Sequence, residues 1–139
     1  MTLHPGLPWL TADNYRITSP ATFDYNRIAF AANDVEHWWE PDRFWPTAVE
    51  SDYYELSVLT QAFAGLGYVD CGRDEGLESG LEKIALYSLG SIYTHAARQL
   101  PSGKWTSKLG SWIDIEHNCP DDVAGGIYGE VALIMKRPI

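Results

Sequence analysis

Four histidines (His4, His37, His95, His117) and two cysteines (Cys71, Cys119) are the side chains best suited to nucleophilic, acid–base or metal chemistry in this sequence. No HExxH or CxxC spacing occurs, and two cysteines do not make a disulfide framework. Asp34-Val-Glu36-His37 and Asp114-Ile-Glu116-His117 each place two carboxylates and an imidazole within four residues. Neither spacing is diagnostic of a metal, so both runs read as solvated loops and no metal is expected. Cys71 sits beside Gly72-Arg73-Asp74-Glu75 without an identifiable partner and reads as an idle or buried thiol. Glycine-rich phosphate loops are absent: Gly76 and Gly80 flank Leu-Glu-Ser, which puts an acid where a phosphate needs bare N–H groups. No cofactor is expected.

Two patches suit binding rather than chemistry. Trp38, Trp39 and Trp45 fall in one short aromatic run, where large rings line a ligand cleft or plug a small core. Lys83, Arg98, Lys104 and Lys108 lie in a stretch, up to Ile113, that holds no acid. Arg98 and Lys108 are therefore candidates for meeting an acidic partner; the alternative is that they balance the acidic first half of the chain. Residues 1–82 carry 14 acids and 4 bases, whereas 83–139 carry 5 acids and 6 bases. The total is −9, which argues against nucleic acid or anionic membranes as partners, because phosphate binding needs clustered Lys and Arg.

These residues must be positioned by a chain of 139 residues, the size of one domain. No apolar run is long enough for a membrane span and the N-terminus lacks a basic, then apolar, leader, so a cytoplasmic protein with free thiols is expected. Ser19-Pro20 is a candidate helix start, and Asn26 before Arg27-Ile-Ala-Phe-Ala-Ala32 is another. Ser51 reads as the cap of a helix whose Leu56, Leu59, Phe63 and Leu66 share one face, ended by Gly65 and Gly67. A strand at 68–71 follows. Strands at 83–87 and 92–98 flank a four-residue hairpin connection, Ser88 to Ser91, with further strands at 104–107 and 127–135. Helices followed by an antiparallel sheet make an α+β domain over 1–139, with His95 on the middle strand.

The run Tyr25-Asn26-Arg27-Ile28-Ala29-Phe30-Ala31-Ala32 resembles the Tyr-Asn-Cys-Ile-Ala-Trp-Ala-Ala motif of an uncharacterised family of short bacterial proteins. The resemblance continues through Trp38-Trp39, Leu81 to Tyr87, Thr94-His95-Ala96-Ala97-Arg98-Gln99-Leu100, Gly103 to Gly110 and Asp114 to His117. A cysteine opening a helix and a later strand histidine make that family similar to papain-like hydrolases, including the cell-wall amidase and peptidase branches. The resemblance implies N-terminal helices packed on an antiparallel sheet, papain-like, with a Cys–His pair oriented by Asp114 or His117. Arg27 stands at the nucleophile position and cannot attack a carbonyl. The expectation is a catalytically degenerate domain that works by protein binding, in an immunity or regulatory role. The alternatives are a hydrolase with another nucleophile and a fold with a small-molecule cleft. A guanidinium at residue 27 also needs a route to water or a carboxylate, for which Asp24, Asp114 and Glu116 are candidates.

Overall fold

Alternating and β-branched residues make strands, not helices, the main regular structure among the described residues. The computed structural model describes residues 2–4, 6–22, 24–40, 45–46, 54–109 and 113–139. Strands β1 (Thr2–His4) and β2 (Leu7–Thr11) form a small antiparallel pair. β3 (Tyr15–Ser19), β4 (Val69–Asp70), β5 (Leu81–Leu89), β6 (Ile92–Gln99), β7 (Trp105–Lys108), β8 (Asp114–His117) and β9 (Glu130–Pro138) build a second sheet. Its seven strands run in the order β3-β8-β7-β6-β5-β9-β4, and the pairings are antiparallel. β6, which carries His95, is therefore the middle strand.

Period-2 alternation divides the core between the two faces of this sheet. Ala85, Tyr87, Ala97, Trp105, Ile115 and Ile134 pack with Leu7 and Leu10 of β2 and with Val123 of a short 3-10 turn at Pro120–Val123. Ile84, Leu86, Ala96 and Met135 pack on the opposite side with the helices. Because β5 is covered on both faces, Ile84-Ala-Leu-Tyr87 reads as an unbroken apolar run.

Both helices are short. α1 spans Arg27–Ala31, five residues, and Asn26 caps it by accepting a 3.0 Å bond from the Ala29 amide. Asn33, in the left-handed region at φ 62°, stops its continuation. α2 (Leu56–Gly65) buries Val58, Leu59, Ala62 and Phe63; of the expected face Leu59 and Phe63 are buried, whereas Leu56 and Leu66 at its two ends are only partly so, and Gly65 lies inside the helix. Glu55 precedes it without a side-chain cap, and the expected cap at Ser51 lies outside the described residues.

The expected α+β architecture, N-terminal helices packed on a papain-like sheet, is overturned. Among the described residues the molecule is mostly a seven-stranded antiparallel sheet with two short helices, a β-rich fold. The physical reason lies in the first nineteen residues. Ser19-Pro20 has the chemistry of a helix start, but Ile17 and Thr18 favour extended backbone and Tyr15–Ser19 pairs with β8. The hairpin connection is tighter than expected too, because pairing extends to Leu89↔Ile92.

One loop positions the side chain that covers His95. Gly126 and Gly129 bridge each other, and Gly129 has φ 67°. A Cβ on Gly129 would stand 2.1 Å from the Ser88 carbonyl oxygen. Gly129→Ala should cost about 1–3 kcal/mol through backbone strain and forced displacement, read as a lower urea midpoint. An unchanged midpoint would show that the loop is not held against β5.

Candidate functional site

His95 lies in the fully buried centre of β6, with Ala96 and Ala97. It faces Tyr87 of β5 directly across the pair, with ring centroids 5.0 Å apart and edge-on, while Tyr128 stacks on its other side at 4.1 Å and 8°. The imidazole is fully buried. Its Nε2 lies 3.0 Å from Ser107 Oγ, Ser107 Oγ lies 2.8 Å from His117 Nε2, and His117 Nδ1 lies 2.9 Å from the Cys119 carbonyl oxygen.

The far end of this chain assigns its protons. A carbonyl only accepts, so His117 donates from Nδ1 and its Nε2 is bare. The Ser107 hydroxyl then donates to His117 and accepts from His95 Nε2–H. His95 Nδ1 is left as a bare lone pair, buried without a hydrogen-bond partner. Burial holds His95 well below the usual imidazole range, and the charges of Arg27 and His117 push the same way. Burial also lowers His117, although the Cys119 carbonyl and Asp122 oppose it.

The other face of β7 and β8 carries a different set. Lys108 and Asp114 sit opposite each other in register, both buried, with Nζ 3.6 Å from Oδ1. The Tyr25 hydroxyl, just before α1, donates to Asp114 Oδ2 at 2.6 Å, and the Lys108 ammonium lies 4.7 Å from the centre of the Tyr25 ring. Burial, then the bond to Asp114 and its charge, pushes the Tyr25 phenol up to about 12. Strand alternation thus separates the two groups that could orient His95. His117 reaches it through Ser107, whereas Asp114 points to the helix side.

Arg27 is half-buried, and its Nε donates to the Thr94 carbonyl of β6. No carboxylate lies within ion-pair distance of it among the described residues. Asp114 is taken by Lys108 and Tyr25, and Glu116 by Arg16 at 2.6 Å. No hydrogen bond joins Arg27 to His95, whose ring faces the cluster opposite the one that holds α1.

Trp39 is a core residue: Phe63 and Trp45 pack on it at 6.3 and 6.1 Å, and its indole N–H donates to Asp34. Asn26 fastens its backbone from both sides, accepting from the Trp39 amide and donating to its carbonyl. Trp38 is half-buried and donates to Glu40. Arg98 lies over the Phe30 ring at 5.5 Å, and that ring stacks on Tyr25. Neither thiol is activated. Burial raises Cys71, and burial with the Asp122 carboxylate raises Cys119 to about 11.

Ser107, Tyr87, Tyr128 and Tyr25 are not singled out in the sequence, because their roles depend on strand register rather than on residue type and spacing. The one signal available is parity: on strands joined by a turn at 101–103, Trp105 and Ser107 share a face. Among the described residues, no three of His, Cys, Asp and Glu converge as metal ligands would. No helix of the described residues is long and apolar enough to cross a membrane.

No curated protein and no solved structure matches the chain. A family model covering residues 16–136 does match it, so the chain belongs to the family described as a domain of unknown function, DUF7689.

Proposed function

We propose that this chain works by binding a protein partner, in a regulatory or immunity role, rather than by covalent catalysis. The observation that carries this reading is the pairing of Arg27 with the Thr94 carbonyl beside a histidine closed in by Tyr87 and Tyr128. No nucleophile stands at the helix start, and the histidine's one bare nitrogen is sealed from substrate. The hydrolase alternative would need another nucleophile. Ser107 touches both imidazoles but is fully buried, and both thiols are held above their ordinary range.

Support for a protein partner comes from the sheet's edge. Among the described residues β3 is paired on one side only, and Arg16 and Ile17 are exposed there. Such an edge accepts another strand through backbone hydrogen bonds.

One labelling experiment tests the reading. At neutral pH, iodoacetamide should alkylate Cys71 and Cys119 more slowly than a free peptide thiol, and a fluorophosphonate should leave Ser107 unmodified. Rapid modification of either thiol or of Ser107 would overturn it in favour of the hydrolase. In a second arm, Ile17→Lys should release a co-purified protein partner while leaving the melting temperature unchanged; retention of the partner would move the interface elsewhere.

A further inference from the structure

A cavity of about 560 Å3 opens where β5 begins and β6 ends, and it falls within the usual size range of small-ligand sites. Leu77, Leu81, Leu100 and Pro101 give it apolar walls. Its ionic groups are unequal. Glu78 is satisfied by Lys83 at 2.9 Å and Lys136 at 3.9 Å, and Glu82 by Arg137. Arg98, which lines the same cavity, makes no ion pair and no hydrogen bond among the described residues. Its Nε is buried without a partner, and one face of the guanidinium is covered by Phe30. Burial lowers its proton affinity, an effect that Tyr68 and Glu82 only oppose. Nε is shut off from solvent, so the donors left for a ligand in the cavity are the terminal nitrogens, which make no hydrogen bond among the described residues.

We propose that this cavity binds a small molecule with an apolar body and a single carboxylate, the carboxylate on Arg98 and the body against Leu77, Leu81 and Leu100. The headgroup follows from shape and charge. A planar carboxylate matches the donor fork of a guanidinium, and the cavity's own carboxylates are already engaged by cations. A cationic ligand would be repelled by Arg98, whose charge Glu82 offsets only in part because Glu82 is paired with Arg137. The inference stands apart from the protein-binding reading, since it uses the opposite end of β6 from Thr94 and a different set of residues.

The test uses the full chain and sodium octanoate, with octanamide as its neutral counterpart and octylammonium as its cationic one. Octanoate should move the backbone amide resonances of residues 77–82 and 98–100 and bind about tenfold or more tightly than octanamide, as expected for a charge-assisted hydrogen bond. Arg98→Gln should erase that preference with apolar binding retained. Should that variant fail to fold, Leu77→Glu serves instead, because Leu77 is half-exposed on a loop. It should weaken octanoate about tenfold and favour octylammonium. Equal affinity for octanoate and octanamide, or resonance changes confined to other residues, would overturn the proposal.

Discussion

Lys108→Met should destabilise the protein by about 3–5 kcal/mol, the usual cost of stranding a buried charge. Lys108 and Asp114 have side chains 0% and 1% exposed. Without the ammonium, Asp114 keeps only the Tyr25 hydroxyl among the described residues, where its Oδ1 already lacks a hydrogen bond. The effect should be strongly non-additive. Adding Asp114→Asn removes the stranded charge and still accepts from Tyr25, so the double variant should be more stable than Lys108→Met alone. Urea unfolding of the two single variants and the double measures this. A Lys108→Met midpoint near the parent, or a double variant no better than the single, would show that the pair is hydrated.

The second large effect is on acidification. Both His95 and His117 have proton affinities depressed by folding, so below about pH 6.5 the unfolded chain takes up protons that the folded protein refuses. The stability from these neutral imidazoles is complete above that pH and is lost as pH falls, by about 1.4 kcal/mol per pH unit for each imidazole that stays neutral in the fold. Tyr87 and Tyr128 face His95, Ser107 lies between the two imidazoles, and Asp122 with the Cys119 carbonyl faces His117, while the Arg27 charge acts on His95 from the other side of the sheet. Depressed Asp34 and Asp74 act only below their ordinary value of 3.8, and raised Glu75 acts above 4.5 with the opposite sign, since the folded protein binds its proton first. A fall in stability between pH 6.5 and 5 therefore comes from the histidines. Unfolding free energy measured in urea across it should fall with a slope between one and two protons. His95→Gln should remove about one proton from that slope; a flat profile in the parent would mean that the imidazoles are reached by water.

Where the sequence is legible, the determinants are local. Asn26 announces α1 because a cap needs only the next three residues, and Leu59 with Phe63 announces α2 because one face repeats every turn. His95 can be placed on the middle strand because the turns around it are marked by glycines. What is hidden depends on register. Nothing near Ser107 indicates that it will stand between two imidazoles, since that requires β7 paired with β8 at Ser107↔Ile115 and with β6 at Arg98↔Thr106. The same holds for Ser19-Pro20, where a good local cap signal loses to a pairing with residues about a hundred positions away. The motif order around Arg27 and His95 likewise says nothing about how far apart the two side chains finish.

The position of β9 has a consequence for synthesis. β9 lies between β5 and β4, pairing from Leu81↔Pro138 to Ser88↔Glu130, yet it follows every other strand in the chain. While the polypeptide emerges from the ribosome, the inner edge of β5 stays bare and its apolar run Ile84 to Tyr87 is covered on neither flank by β9. Before β9 emerges, the five strands β3-β8-β7-β6-β5 can pair but leave an open edge at β5, and β4 has no neighbour until residue 136 is free to meet Val69. Such long-range pairings slow the folding of β-rich chains and expose unfinished edges. A nascent chain halted before residue 130 should accordingly be a preferred chaperone client and protease target, and release of the remaining residues should end both.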